Sequence, residues 1–154
     1  MSSRRSARPA LVLRVPSRTE FLALVRDVTR RMAELAGFDA AQAEQLALAV
    51  DEASTNVIEH AYAGARDRAF EVRFDDRGAE LRIDVVDDGA TVDPRSMPTV
   101  DLARYATERR TGGLGVHLMG RIMDSVTFRR AAHRNVCCMV KRKPEPRPQA
   151  ERRP

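Results

Sequence analysis

Tryptophan is absent from this 154-residue chain, and only two Tyr and five Phe supply aromatic surface. Unpaired bases are held by stacking on aromatic side chains, so the composition offers little to a protein that grips single-stranded nucleic acid. Cysteine is nearly absent as well. Cys137 and Cys138 are adjacent, and on a strand they would point to opposite faces. That argues against both a metal pair and a structural disulfide. No apolar run approaches the roughly 18 residues of a membrane span, and the apolar stretch at 10–15 is too short for the core of a secretory leader. The expectation is a cytoplasmic protein that does not contact a membrane. A strongly basic body is missing too. The formal net charge is +5, but residues 1–9 carry +3 and residues 141–154 carry +4, which leaves the rest at −2. The high isoelectric point belongs to the ends and gives no basic groove, so direct nucleic-acid binding is not expected.

What is present describes one ordinary domain. Hydrophobic residues make up 43% and charged residues 32%, enough for a core in a chain of this length. The expected organisation is a basic disordered tail over 1–9, a folded body over 10–142, and a disordered Pro/Arg-rich tail over 143–154.

Residues 10–15 read as a strand. Ser17 and Glu20 have the spacing of a capping box. Phe21, Leu24, Val25, Val28, Met32 and Leu35 mark the amphipathic helix that would follow, with Gly37 ending it. Asp39 caps a second helix, expected to run to Tyr62, whose apolar stripe is Leu46, Val50, Ala53, Val57 and Ala61. Residues 69–75 and 81–85 alternate apolar and polar residues around Asp76-Arg-Gly78, a hairpin signal. Residues 95–110 read as a mobile loop with one short helix, and a third helix follows. Residues 125–129 and 136–140 are two further strands. The order predicts an α/β (α+β) two-layer sandwich, with a mixed, mostly antiparallel sheet covered on one face by helices.

Three stretches carry chemistry. Glu52 and Asn56 lie one turn apart on the second helix, beside its apolar stripe, with His60 a turn further on. Asp87-Asp-Gly89 closes an apolar strand. A partly buried carboxylate there can accept a hydrogen bond from an exocyclic amine, and glycine leaves room for a flat ligand. Gly112-Gly-Leu-Gly115 stands at the start of a helix, where backbone N–H groups and the helix dipole favour phosphate. A solvated edge, a turn and a plain loop are the respective bland readings, but the order and spacing of the three favour a nucleotide site.

With these residues on the page, the chain resembles the histidine-kinase-like ATPase superfamily (the GHKL or Bergerat fold). The resemblance rests on Glu52-Ala-Ser-Thr-Asn56 with His60-Ala-Tyr62, on Asp87-Asp-Gly89, and on Gly113-Leu-Gly115. Within that superfamily it is most similar to the bacterial anti-sigma factor serine/threonine kinases. The resemblance implies ATP and Mg²⁺ as cofactors. Asn56 would ligate Mg²⁺ and Asp87 would accept the adenine amine, with Gly89 leaving space for the base. Gly113, Leu114 and Gly115 would wrap the phosphates under a flexible lid of about residues 90–112, Arg110 (or Arg109) would reach a phosphate, and Glu52 would be the catalytic base toward a serine hydroxyl. His60 would be structural, capping polar contacts near the site. Thr91 stands where many relatives have a second glycine. No residue takes the role of a threonine that often helps bind adenine in such proteins, since Asn135 and Val136 occupy that region. The implied partners are a sigma factor, an anti-sigma antagonist of the STAS type as protein substrate, and a second copy of the chain in a homodimer. The other readings are a catalytically silent ATP-binding interaction module and the catalytic domain of a sensor histidine kinase. Nothing in the chain resembles a phosphoacceptor dimerisation helix for the latter.

Overall fold

The computed structural model describes residues 11–90 and 111–145. The tail expected at 1–9, nearly all of the lid expected at 90–112 (Arg109 and Arg110 included), and most of the tail at 143–154 lie outside them.

Strand β1 (Leu11–Pro16) leads through a 3-10 turn (Thr19–Phe21) into α1 (Leu22–Leu35), followed by α2 (Ala40–Asn56) and a π-helical turn (Val57–Ala61). A hairpin of β2 (Ala69–Asp76) and β3 (Glu80–Asp87) comes next, then α3 (Thr111–Ile122) and a second hairpin, β4 (Ser125–Ala131) and β5 (Arg134–Arg142). The five strands lie in the order β1-β2-β3-β5-β4, and every pairing is antiparallel.

Alternation along the strands separates the faces. On one face Val72 stands opposite Val85, Phe74 opposite Ile83, and Ile83 opposite Met139, and all are buried against the helices. On the other face Arg73 stands opposite Asp84 and Asp75 opposite Arg82. Opposite charges at directly paired positions stabilise such a face.

α2 is held as its sequence requires. Asp39 Oδ1 accepts from the Gln42 N–H at 2.8 Å, and Gln42 Oε1 accepts from the Asp39 N–H at 3.1 Å, a reciprocal cap. Of its expected stripe, Leu46, Val50, Ala53 and Val57 are buried and Ala61 is half-buried. α1 differs from expectation. Its buried line is Val25, Thr29 and Ala33, with Leu24 and Leu35 more than half exposed. Small residues at this four-residue spacing let α1 lie close to the alanine-rich α2. The larger residues outnumber the inward positions, so some remain outside. Thr29 is accommodated because its hydroxyl donates to the Val25 carbonyl at 2.7 Å.

The capping box expected at Ser17 and Glu20 does not form. Ser17 is buried and its hydroxyl donates to the Ala65 carbonyl, while its N–H donates to the Arg68 carbonyl at 2.9 Å. Glu20 instead pairs with Arg66 at 2.8 Å. Long-range partners outcompete the local one, and they tie the entry of α1 to the connection before β2. Phe74 sits at the centre of the core with no exposed surface. Phe74→Ala is expected to cost about 3–5 kcal/mol, measured as a lower urea midpoint with an unchanged slope.

Candidate nucleotide site

α2 does not continue as an α-helix to Tyr62. From Val57 to Ala61 it widens into a π turn, closed by the Tyr62 N–H donating to the Val57 carbonyl at 2.9 Å. π turns within helices are rare and frequently mark functional sites. Here the turn leaves the Ala61 carbonyl available to the Ala90 N–H, which reaches it at 2.9 Å. The segment after β3 is thereby bonded to the end of α2.

This approach explains Gly89. A Cβ at position 89 would lie 2.3 Å from the Ala61 carbonyl oxygen and 2.8 Å from Cδ1 of Tyr62. Backbone-to-backbone contact therefore demands glycine in its own right, apart from any room for a ligand.

The two aspartates beside it have different uses. Asp88 accepts from Arg68 at 2.9 Å and lies 2.9 Å from the Tyr62 hydroxyl, whose single proton is shared with the Ala69 carbonyl at 2.6 Å. The Arg68 guanidinium also stacks over the Tyr62 ring, 4.8 Å from its centre. Arg68, and then Tyr62, hold the Asp88 carboxyl below the usual carboxylate range. Burial pushes the Tyr62 phenol up to about 12. This cluster locks the turn. Asp87 is buried on the helix-covered face of β3. Its Oδ1 accepts from the Gly89 N–H at 2.9 Å and from Asn135 Nδ2 at 2.8 Å. No described residue donates to Oδ2, which leaves a fixed acceptor for an amine.

Glu52 and Asn56 lie on the last turns of α2, half-buried, and neither side chain hydrogen-bonds to a described residue. Burial, and then the charges of Asp51 and Glu59, raise the Glu52 carboxyl above its ordinary value. Asp51 is itself held by Arg26 at 2.9 Å, which pins this part of α2 to α1. His60 is exposed and makes no hydrogen bond among the described residues, so it caps no contact there. Gly113, Leu114 and Gly115 lie inside α3, which packs against α2. They form part of the helix instead of a loop ahead of it.

The structure thus joins the end of α2 to the Asp87–Gly89 turn directly and sets α3 beside α2. Asn135, to which sequence reasoning gave no role, belongs to this group. Its signal was its place on β5 opposite Asp87, visible only once the register is known. Among the described residues no group of three or more His, Cys, Asp or Glu could hold a metal ion. A Mg²⁺ ion at Asn56 would therefore take its remaining ligands from phosphate and water, which suits that ion.

The chain belongs to the histidine kinase-like ATPase domain family, whose model matches residues 15–141. Within the family it stands with the serine-protein kinases called RsbW. It is 32% identical to that of Listeria monocytogenes over 120 residues, 75% of this chain and 76% of the relative. It is 33% identical to that of Bacillus pumilus over 121 residues, 74% of each. The fold is shared with the crystal structure of the SiaB–SiaC complex from Pseudomonas aeruginosa, at a TM-score of 0.60 and 14% identity, covering 86% of this chain and 89% of that one.

Because the Ala61 backbone occupies the space beside position 89, Gly89→Ala is expected to lower the melting temperature by several degrees. It should also weaken ATP binding measured by calorimetry. Retained stability and affinity would mean that the turn has freedom to move.

Proposed function

We propose that this protein is an anti-sigma factor serine/threonine kinase. It binds ATP with Mg²⁺, sequesters a sigma factor, and phosphorylates a small STAS-type antagonist on Ser or Thr. The phosphorylated antagonist lets go, and the kinase returns to the sigma factor. It acts in the cytoplasm as a homodimer. No helix among the described residues is long and apolar enough to cross a membrane.

The observation that carries the reading is Asp87, a buried carboxylate whose Oδ1 accepts two hydrogen bonds while Oδ2 accepts none from a described residue, on a turn bonded to the helix that bears Glu52 and Asn56. Membership among serine-protein kinases supports the transfer chemistry. Asp87 accepts the adenine amine and Asn56 offers its side-chain oxygen to Mg²⁺. Gly113, Leu114 and Gly115 stand in the first turns of α3, whose N-terminal dipole favours phosphate, and Arg110 pairs with a phosphate. Bound Mg²⁺-ATP supplies the phosphoryl group and offsets its negative charge. The protein's share of phosphoryl transfer is positioning and charge stabilisation. Glu52 orients the incoming hydroxyl and takes its proton.

Glu52→Ala is expected to reduce phosphate transfer to the antagonist by at least about a hundredfold while leaving the ATP dissociation constant within about twofold. Wild-type transfer by this variant would remove the base assignment, and a wild-type protein that binds ATP but labels no STAS antagonist would favour the silent module. Asn56→Ala should abolish the gain in ATP affinity that Mg²⁺ confers, read by titration with and without the ion.

The raised Glu52 carboxyl gives a pH dependence. A base acts only when ionised, so transfer should fall on the acid side, with its midpoint above the ordinary Glu value. Glu59→Gln removes a like charge that raises Glu52 and should move this limb to lower pH. An unmoved limb would assign it to another group.

A further inference from the structure

We infer that Asn135 and Arg130 are positioning residues that set the base preference of this site, a conclusion that rests on Asp87 being the residue that accepts the base amine. Three strands place three side chains in one row across the helix-covered face. Asp87 on β3 stands opposite Asn135 on β5, and Asn135 stands opposite Arg130 on β4. Directly opposed residues of antiparallel strands share a face and touch.

The chemistry of the row runs in one direction. Arg130 Nη1 donates to Asn135 Oδ1 at 3.2 Å. Asn135 Nδ2 donates to Asp87 Oδ1 at 2.8 Å, and to the carbonyls of Gly89 at 3.3 Å and Ala90 at 3.2 Å. A carboxamide can be turned over, but here only one orientation works. Reversed, its oxygen would face a carboxylate and two carbonyls, and its NH₂ would face a guanidinium. Arg130, a donor only, therefore fixes which end of Asn135 points at Asp87. Asn135 then fixes which oxygen of Asp87 is occupied. With Oδ1 bonded twice, Oδ2 alone remains, and the carboxylate cannot rotate without losing both bonds. The same amide holds Gly89 and Ala90, so it also sets where the turn leaves β3.

A carboxylate oxygen held still discriminates between a base that donates and one that accepts. Adenine presents an amine at position 6. Hypoxanthine, in inosine triphosphate, presents a carbonyl oxygen there, which a carboxylate repels. A carboxylate free to rotate or withdraw would relieve that repulsion and weaken the amine bond. Asn135 therefore governs the ratio of ATP to inosine triphosphate affinity, and Arg130 supports it.

The test is calorimetric titration of the full chain with ATP and with inosine triphosphate, using wild type, Asp87→Asn, Asn135→Ala, Asn135→Asp and Arg130→Ala. A melting curve is recorded for each. Asn135→Ala is expected to lower the ATP preference by about tenfold or more, the lower end for one hydrogen bond to a charged group. Asn135→Asp, which turns a donor toward Asp87 into a repelling acceptor, should lower it further. Arg130→Ala, on the exposed edge strand, should lower it about twofold. A role limited to stability would move the melting temperature and leave the ratio alone. If Asp87→Asn loses the preference while Asn135→Ala and Arg130→Ala keep the wild-type ratio, the positioning row is overturned and the site stands. If wild type shows no preference, or Asp87→Asn retains it, the reading of Asp87 falls and this inference falls with it. Should Asn135→Ala not fold, Arg130→Ala decides by the same ratio.

Discussion

The contact between the Ala61 carbonyl and the Gly89–Ala90 backbone is the constraint on which the site depends. A helix leaves the carbonyls of its last turn without internal partners, and at this end the Ala61 carbonyl finds one in the segment after β3. The π turn at Val57–Ala61 widens the helix end and turns the Ala61 carbonyl to the Ala90 N–H. Glycine at 89 lets the two backbones meet. Once they meet, Tyr62 is carried to Asp88 and Arg68, and the turn is held from both sides. Glu52 and Asn56 on one element and Asp87 on the other are thus fixed in one frame through a main-chain bond, independent of flexible side chains.

Two neighbouring aspartates show how such a frame divides labour. Strand alternation sends Asp87 to the covered face and Asp88 away from it. Asp88 meets a guanidinium and a phenol, and its charge is offset by Arg68. Among the described residues Asp87 meets only neutral donors, an amide N–H and a carboxamide. Its carboxyl is oriented by these bonds, with no ion-pair partner among the described residues, as the proposed amine-accepting role calls for.

Much of this was legible in the sequence where local chemistry decides the outcome. The Asp39 cap, the buried part of the α2 stripe and the Asp76-Arg-Gly78 hairpin all follow from spacing alone. Legibility failed where distant partners win. Ser17 abandons a local cap for Ala65. The inward line of α1 is chosen by what fits against α2, so Leu24 and Leu35 stay outside. The second hairpin is longer than its pattern suggested, because Ala132 and His133 take left-handed conformations, at φ 47° and 66°, that ordinarily call for Gly or Asn. The π turn has no marker in a stretch whose apolar spacing is that of an α-helix. Asn135 could not be read as part of the site, because its meaning lies in the register of β3, β5 and β4.

The distribution of satisfied and open polar groups points to the same place. Among the described residues no buried side-chain nitrogen or oxygen lacks a partner, as expected when an unpaired buried polar group costs about 1–3 kcal/mol. Thr29 and Ser54, buried in helices, bond back to the carbonyls of Val25 and Val50. Glu52 and Asn56 do not, although they share α2 with Ser54 and are half-buried. With Asp87 Oδ2 they offer acceptor oxygens to whatever occupies the space beside them. Rigid placement together with open valence is what phosphoryl transfer asks of a protein. Under the proposed function it is met by a fold that, among the described residues, pairs its buried polar groups and leaves Glu52 and Asn56 without a hydrogen-bond partner.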